Sequence, residues 1–184
     1  MATATSQMLS VRRIVITGVL AAIAILLGVT RLGFIAVPNI SGNATIMHVP
    51  AIIGGVMEGP LVGFLIGTIF GLYSFLQATS PLFKNPIVAF VPRMLIGVTA
   101  ALTYVSLRRS GNEILALAMA GVVGTLTNTV LVLGLAVAFG LLPVAAIAGI
   151  IPQAVAELVI AAIITVAVVA AWKRMDTGRG RSSI

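Results

Sequence analysis

The sequence predicts an all-α fold, an integral membrane bundle of six transmembrane helices with both termini in the cytoplasm. Three observations predict it. Only 8% of the 184 residues are charged and 60% are hydrophobic, whereas a soluble domain carries roughly a quarter charged residues. The mean hydropathy is +1.21, which also excludes a disordered chain, because disorder needs low hydrophobicity. The apolar residues fall into six blocks separated by charge and by Gly, Pro or Asn, and a helix crosses a bilayer with roughly 20 such residues.

The first span is placed at 14–35. Its apolar run is too long for a signal-peptide core, and Val29-Thr-Arg31-Leu-Gly offers no good cleavage site. A polar loop follows over 37–45. The second span, 46–58, closes at the turn Glu58-Gly59-Pro60, and the third occupies 61–76. After a second polar loop, 77–86, the fourth span runs over 87–107 and stops at Arg108-Arg109-Ser-Gly-Asn. The fifth is placed at 114–141 and the sixth at 143–172. The domain ends at 175, and the Gly-, Ser- and Arg-rich residues 176–184 are expected to form a flexible basic tail.

Charge sets the orientation. With six spans both termini share a side, and that side holds Arg12, Arg13, Arg108, Arg109, Lys173, Arg174, Arg179 and Arg181, against Arg31 and Lys84 on the other. The positive-inside rule then puts the termini in the cytoplasm. Trp172 beside Lys173 fits an interfacial anchor. The net charge of +7 is therefore topological, and no basic face with interleaved aromatics points to nucleic acid. No Cys is present, which removes disulfides, thiolate nucleophiles and sulfur metal sites.

Small residues four apart lie on one helical face, where a missing side chain admits a neighbouring backbone. Gly55, Gly59, Gly63, Gly67 and Gly71 form one such series. Its ordinary use is packing within the bundle, although a smooth strip also suits docking to a second membrane protein. The first span repeats the spacing in Thr17/Ala21, Gly18/Ala22 and Ala24/Gly28.

An ionisable residue inside hydrocarbon costs roughly 2.5–3.5 kcal/mol on insertion scales, so each one marks a functional candidate. Arg93 lies near the outer end of span four, Glu157 and Asn128 lie within spans six and five, His48 opens span two, and Tyr73 and Gln77 end span three. Several thus fall in the outer half of the bundle and suggest a polar pocket open to the outside. Arg93 keeps its charge and can fork onto a carboxylate, which makes it a receptor for an anion. The alternative is an Arg93–Glu157 pair tying two helices together. Asn128, flanked by Thr125, Thr127 and Thr129, either bonds between helices or reads a ligand's polar groups. His48 stands alone, so no metal site is expected. Arg31 reads as a snorkelling anchor and Glu58 as a solvated carboxylate. With one His and four acidic residues, and without hydrolase or nucleotide-binding motifs, the chain is not expected to be an enzyme.

The stretch Thr45-Ile-Met-His48-Val-Pro50-Ala-Ile-Ile-Gly-Gly-Val-Met-Glu-Gly59-Pro60-Leu-Val-Gly63-Phe-Leu-Ile-Gly67 resembles the second and third helices of a substrate-binding S component of an energy-coupling-factor (ECF) vitamin transporter. Phe90-Val-Pro92-Arg93-Met-Leu-Ile-Gly97 and Gly121-Val-Val-Gly124-Thr-Leu-Thr-Asn128-Thr129 resemble that family's fourth and fifth helices. The resemblance covers about Val11 to Trp172.

It implies a binding and translocating subunit in a prokaryotic plasma membrane. Such a subunit takes up a vitamin from outside and docks onto a membrane coupling subunit driven by two ATPase subunits. The chain itself would bind no cofactor, ATP being used by those partners. The family's docking residues correspond to Gly18 and Ala22, with Thr17 and Ala21 as the competing register. The family's first external loop corresponds to 38–45, where Asn39 and Asn43 would supply polar contacts. The Pro-Arg and Thr-Asn-Thr elements most resemble pantothenate-type members. Pantothenate offers one carboxylate for Arg93 and amide and hydroxyl groups for Asn128, Tyr73 or Gln77. Folate and riboflavin are the other vitamins considered. Outside the resemblance, a self-sufficient carrier or channel with an Arg93/Glu157 pathway and a solute-free assembly factor remain as alternatives.

Overall fold

A computed structural model describes residues 10–36, 43–78 and 80–179. Its elements follow in the order α1 (Val11–Val29), β1 (Phe34–Ala36), β2 (Asn43–Thr45), α2 (Val49–Glu58), α3 (Pro60–Leu76), α4 (Pro86–Leu107), α5 (Glu113–Ala138) and α6 (Ile147–Arg179). Helix starts coincide with the residues that satisfy free backbone N–H groups. Asn85 and Asn112 accept hydrogen bonds from Ile87 N and Leu115 N, both at 3.0 Å, and so cap α4 and α5. Pro60 and Pro86 open α3 and α4, where proline's missing N–H does no harm. The helices alternate in direction, so one end of the bundle carries the α2–α3 and α4–α5 turns and the other carries the β1–β2 hairpin.

Two spans depart from expectation. The first helix stops at Val29 rather than running on to residue 35. Thr30 bonds back to Leu26 O at 2.6 Å, and Arg31 takes a left-handed φ of 58°. Phe34–Ala36 then pairs antiparallel with Asn43–Thr45, Phe34 opposite Thr45. Strand pairing supplies the backbone partners that the helix would have supplied, and an apolar run of a few residues reads the same in either state.

The second departure is α2, whose 10 residues span about 15 Å. That is half of a hydrocarbon core of about 30 Å, so α2 does not cross it alone. Residues 49–56 are all buried, and α2 is a core helix packed against α1, α3, α4, α5 and α6. Among the described residues, four helical segments are long and apolar enough to cross a membrane: Val11–Val29, Pro86–Ser110, Glu113–Ala138 and Val144–Arg174. At the other terminus α6 continues to Arg179, four residues into the expected tail. Residues 180–184 lie outside the described residues.

The glycine series packs the interior. A Cβ at Gly55 or Gly63 would collide with the backbone of Gly97, and one at Gly67 would collide with the carbonyl of Arg93. Backbone meets backbone where α2 and α3 cross α4, which assigns the smooth face to contacts within the bundle. Gly97→Ala is expected to destabilise the protein by about 1–3 kcal/mol through overpacking. Gly134→Ala, where an added methyl group meets open space, is expected to be neutral or stabilising, because alanine is the better helix former. Thermal unfolding of the two variants in one detergent checks the opposite signs.

Charged residues at the turn end are tied together. Arg12 Nε lies 3.0 Å from Glu58 Oε1, and Arg13 Nε lies 3.8 Å from Oε2. Glu58 is therefore not the solvated carboxylate expected, since its side chain is 9% exposed and joins α1 to the α2–α3 turn. Lys173 reaches both Glu113 and Tyr104, linking the adjacent ends of α4, α5 and α6.

Candidate solute-binding site

A cavity of about 630 Å³ opens at the hairpin end of the bundle. Every helix but α2 contributes to its lining, with Met47 filling the approach to α2. Tyr73 on α3, Gln77 just after it, Arg93 on α4 and Asn128 on α5 line it together, and Glu157 completes the set from α6. The bundle thus converges polar groups from four helices on one apolar-walled space, the usual anatomy of a small-molecule site.

Arg93 is 4% exposed. Its guanidinium carbon stands 4.3 Å from the Phe83 ring centroid and 5.6 Å from that of Phe70. Nη1 donates to Val88 O at 2.7 Å, while Nε is buried without a partner. The two rings and the carbonyl fix the plane of the fork, and the edge carrying Nε is left for something else. No carboxylate lies within ion-pair distance of it among the described residues. A buried cation with no counter-charge is strongly unfavourable, so an anion is the partner that Arg93 favours.

The expected alternative, an Arg93–Glu157 pair, is absent. Glu157 Oε1 instead accepts hydrogen bonds from Thr45 N at 2.8 Å and from Gln153 Nε2 at 3.1 Å. Asn128 makes no interhelical hydrogen bond through Oδ1, which is buried without a partner. The neighbouring threonines carry the interhelical bonds. Thr127 donates to Thr99 at 3.0 Å, and Thr125 lies 2.9 Å from His48 Nε2. Asn128 itself is among the residues that line the cavity.

His48 is 1% exposed and does not line the cavity. It sits before α2 and links that helix to α5 through Thr125, which is an internal tie. Arg31 does line the cavity mouth, with its residue surface exposed. Asn39 lies outside the described residues. Asn43 pairs with Ala36 through its backbone, and its side chain is likewise outside the description. Among the described residues no three His, Asp or Glu side chains converge as metal ligands would.

On α1, Gly18 and Ala22 are exposed on the bundle's outer face, and an added Cβ at Gly18 meets nothing. Ala21 is buried, and Thr17 Oγ1 is spent on Arg13 O at 2.7 Å. The two registers that the sequence left open are thereby separated in space.

Sequence reasoning missed Phe70, Phe83, Thr45 and Gln153. Gln153 carried a signal, since it lies four residues before Glu157 and therefore on the same helical face. Phe83 carried none, because it sits in a short 3-10 turn at Pro81–Lys84 between two spans, and nothing local says that it folds over Arg93.

Residues 12–169 match the family described as "ECF transporter, substrate-specific component". The chain belongs to this family. As an ECF substrate-specific component it is a membrane-embedded transporter subunit and not an enzyme. It is 35% identical over 109 residues to the pantothenic acid transporter PanT of Lactococcus lactis subsp. cremoris (strain MG1363). That match takes in 48% of this chain, and the chain spans about half the length of this curated relative, 54%. The fold superposes on a solved S component of a bacterial ECF transporter with a TM-score of 0.64, covering 92% of this chain and 98% of that one at 20% identity.

Proposed function

We propose that this ECF component captures pantothenate, or an anionic vitamin very like it, from outside the cell. It then passes the solute inward in complex with a membrane coupling subunit and two ATPase subunits, which consume the ATP. The termini would face the cytoplasm, where the Arg12, Arg13, Arg108 and Lys173 end meets the positive-inside rule. One observation carries the reading: Arg93, buried beside the Phe70 and Phe83 rings with no carboxylate in ion-pair reach among the described residues, lines the cavity.

Pantothenate suits that cavity chemically. Its single carboxylate satisfies the fork of Arg93 in a bidentate manner. Its hydroxyl and amide hydrogens find acceptors in Asn128 Oδ1, Gln77 and Tyr73, and its dimethyl carbon finds the Phe70 and Val132 walls. The likeness to a pantothenic acid transporter in sequence points the same way.

Titration calorimetry of the purified protein with pantothenate, riboflavin and folate tests the reading. Saturable one-to-one binding of pantothenate alone is expected. Binding of another vitamin with no pantothenate signal overturns the choice of solute. Failure to co-purify with coupling and ATPase subunits overturns the proposed assembly.

A further inference from the structure

From the geometry around Glu157 we infer that this residue does not serve as a ligand for the solute but as a positioning residue. It holds the β1–β2 hairpin as one wall of the cavity. The inference rests on the solute-binding reading above for its kinetic consequence, but its structural half stands on the ligand-free protein.

The hairpin forms part of the cavity through Phe34 and Thr45. In an antiparallel ladder the paired residues alternate between those that exchange backbone hydrogen bonds and those whose N–H groups point away. Gly33 O accepts from Ile46 N at 2.9 Å, so the next pair, Phe34 opposite Thr45, turns its amides outward. The Thr45 N–H is thus unused by the sheet, and a buried amide left unpaired is unfavourable. Glu157 Oε1 takes it at 2.8 Å across 112 residues of sequence.

This hydrogen bond ties the second strand to α6. Glu157 is 6% exposed, and Gln153, one turn earlier on α6, donates to the same oxygen. A carboxylate so held is oriented for the hairpin. Its negative charge would also repel the carboxylate of an anionic solute, so a direct role in gripping that group is disfavoured. The hydrogen bond, which an amide oxygen can also accept, is the feature the position requires.

Two measurements separate this role from the others. In the ligand-free protein, amide hydrogen exchange of the 43–47 segment in Glu157→Ala is expected to rise about tenfold while α4 and α5 keep their protection. Glu157→Gln is expected to restore most of that protection, because its side-chain oxygen still accepts from Thr45 N.

For bound pantothenate, Glu157→Ala is expected to raise the dissociation rate at least about tenfold with association changed less than about threefold. Thr45→Pro removes the same N–H from the hairpin side, together with the hydroxyl that accepts from Met47 N, and is expected to match it. Unchanged exchange of 43–47 in Glu157→Ala overturns the inference. So does a Glu157→Gln protein that loses solute as fast as Glu157→Ala, which would show that the charge itself is used. If the wild-type protein fails to bind pantothenate, the proposed solute falls, and the exchange arm still decides the role of Glu157.

Discussion

Arg93→Ala is expected to weaken binding of the anionic solute by about 2–3 kcal/mol, roughly thirtyfold to a hundredfold or more, while the protein still inserts and folds. The size follows from what the substitution removes. A hydrogen bond to a charged group is worth about 1.5–3 kcal/mol, and the solute's carboxylate would be left buried without its cation. The protein itself loses little, because Arg93 has one protein hydrogen bond, to Val88 O, and no ion pair in the described structure. Arg93→Lys is expected to recover only part of the loss. A lysine ammonium is a point charge without the planar fork, and it cannot set a delocalised guanidinium beside Phe70 and Phe83. Calorimetry of the three proteins decides it. If Arg93→Ala binds as tightly as wild type, the anion is held elsewhere and the cavity's charge has no part in recognition.

The second large effect contrasts neighbours on α1. Ala22→Trp is expected to leave solute affinity within about twofold yet reduce uptake by the complete transporter at least about tenfold. A rim residue at an interface can block association without touching a distant site. Ala22 lies on an exposed apolar face with Ile25, Leu26 and Val29, where a partner's backbone would approach. Ala21→Trp is expected to cripple folding instead, because Ala21 is 4% exposed and sits against the interior, where a large insertion forces strain. Uptake by proteoliposomes containing the whole transporter, alongside calorimetry of the isolated subunit, reads both outcomes. Equal loss of binding and uptake in Ala22→Trp would make that face a folding surface and not a docking one.

Much of the molecule was legible in its residues because the membrane leaves few choices. A bilayer forces backbone groups to bond within helices, so apolar length and Gly/Pro punctuation located all six helices and placed the α4 boundary to within one residue. Arg93, Asn128, Tyr73, Gln77 and Glu157 could be singled out for a related reason, since a polar side chain in such a setting is too costly to be incidental. The errors arose where that reasoning has no grip. Residues 34–36 are apolar whether helical or extended, and only their pairing with 43–45 decides. The brevity of α2 was hidden because a helix buried by protein looks, in composition, like one buried by lipid.

Partnership was the other blind spot. Which polar groups would satisfy one another depends on contacts between residues far apart in the chain, and a one-dimensional pattern holds no distances. Arg93 and Glu157, the two intramembrane charges, looked like natural partners, yet one is clamped between Phe70 and Phe83 and the other is taken by the Thr45 amide. Glu58 looked solvated and is paired with Arg12 and Arg13.

By itself, then, the sequence determined a charge-poor helical bundle, the segregation of its cations, and the short set of polar residues placed within its spans. Those follow from transfer free energies, which each residue carries with it. Only the tertiary structure decided that Arg93 is set beside two rings without an ion pair, that Glu157 faces the hairpin, and that Ala22 and not Ala21 faces outward. Those depend on which side chains meet, and packing alone brings residues 45 and 157 to within a hydrogen bond of each other.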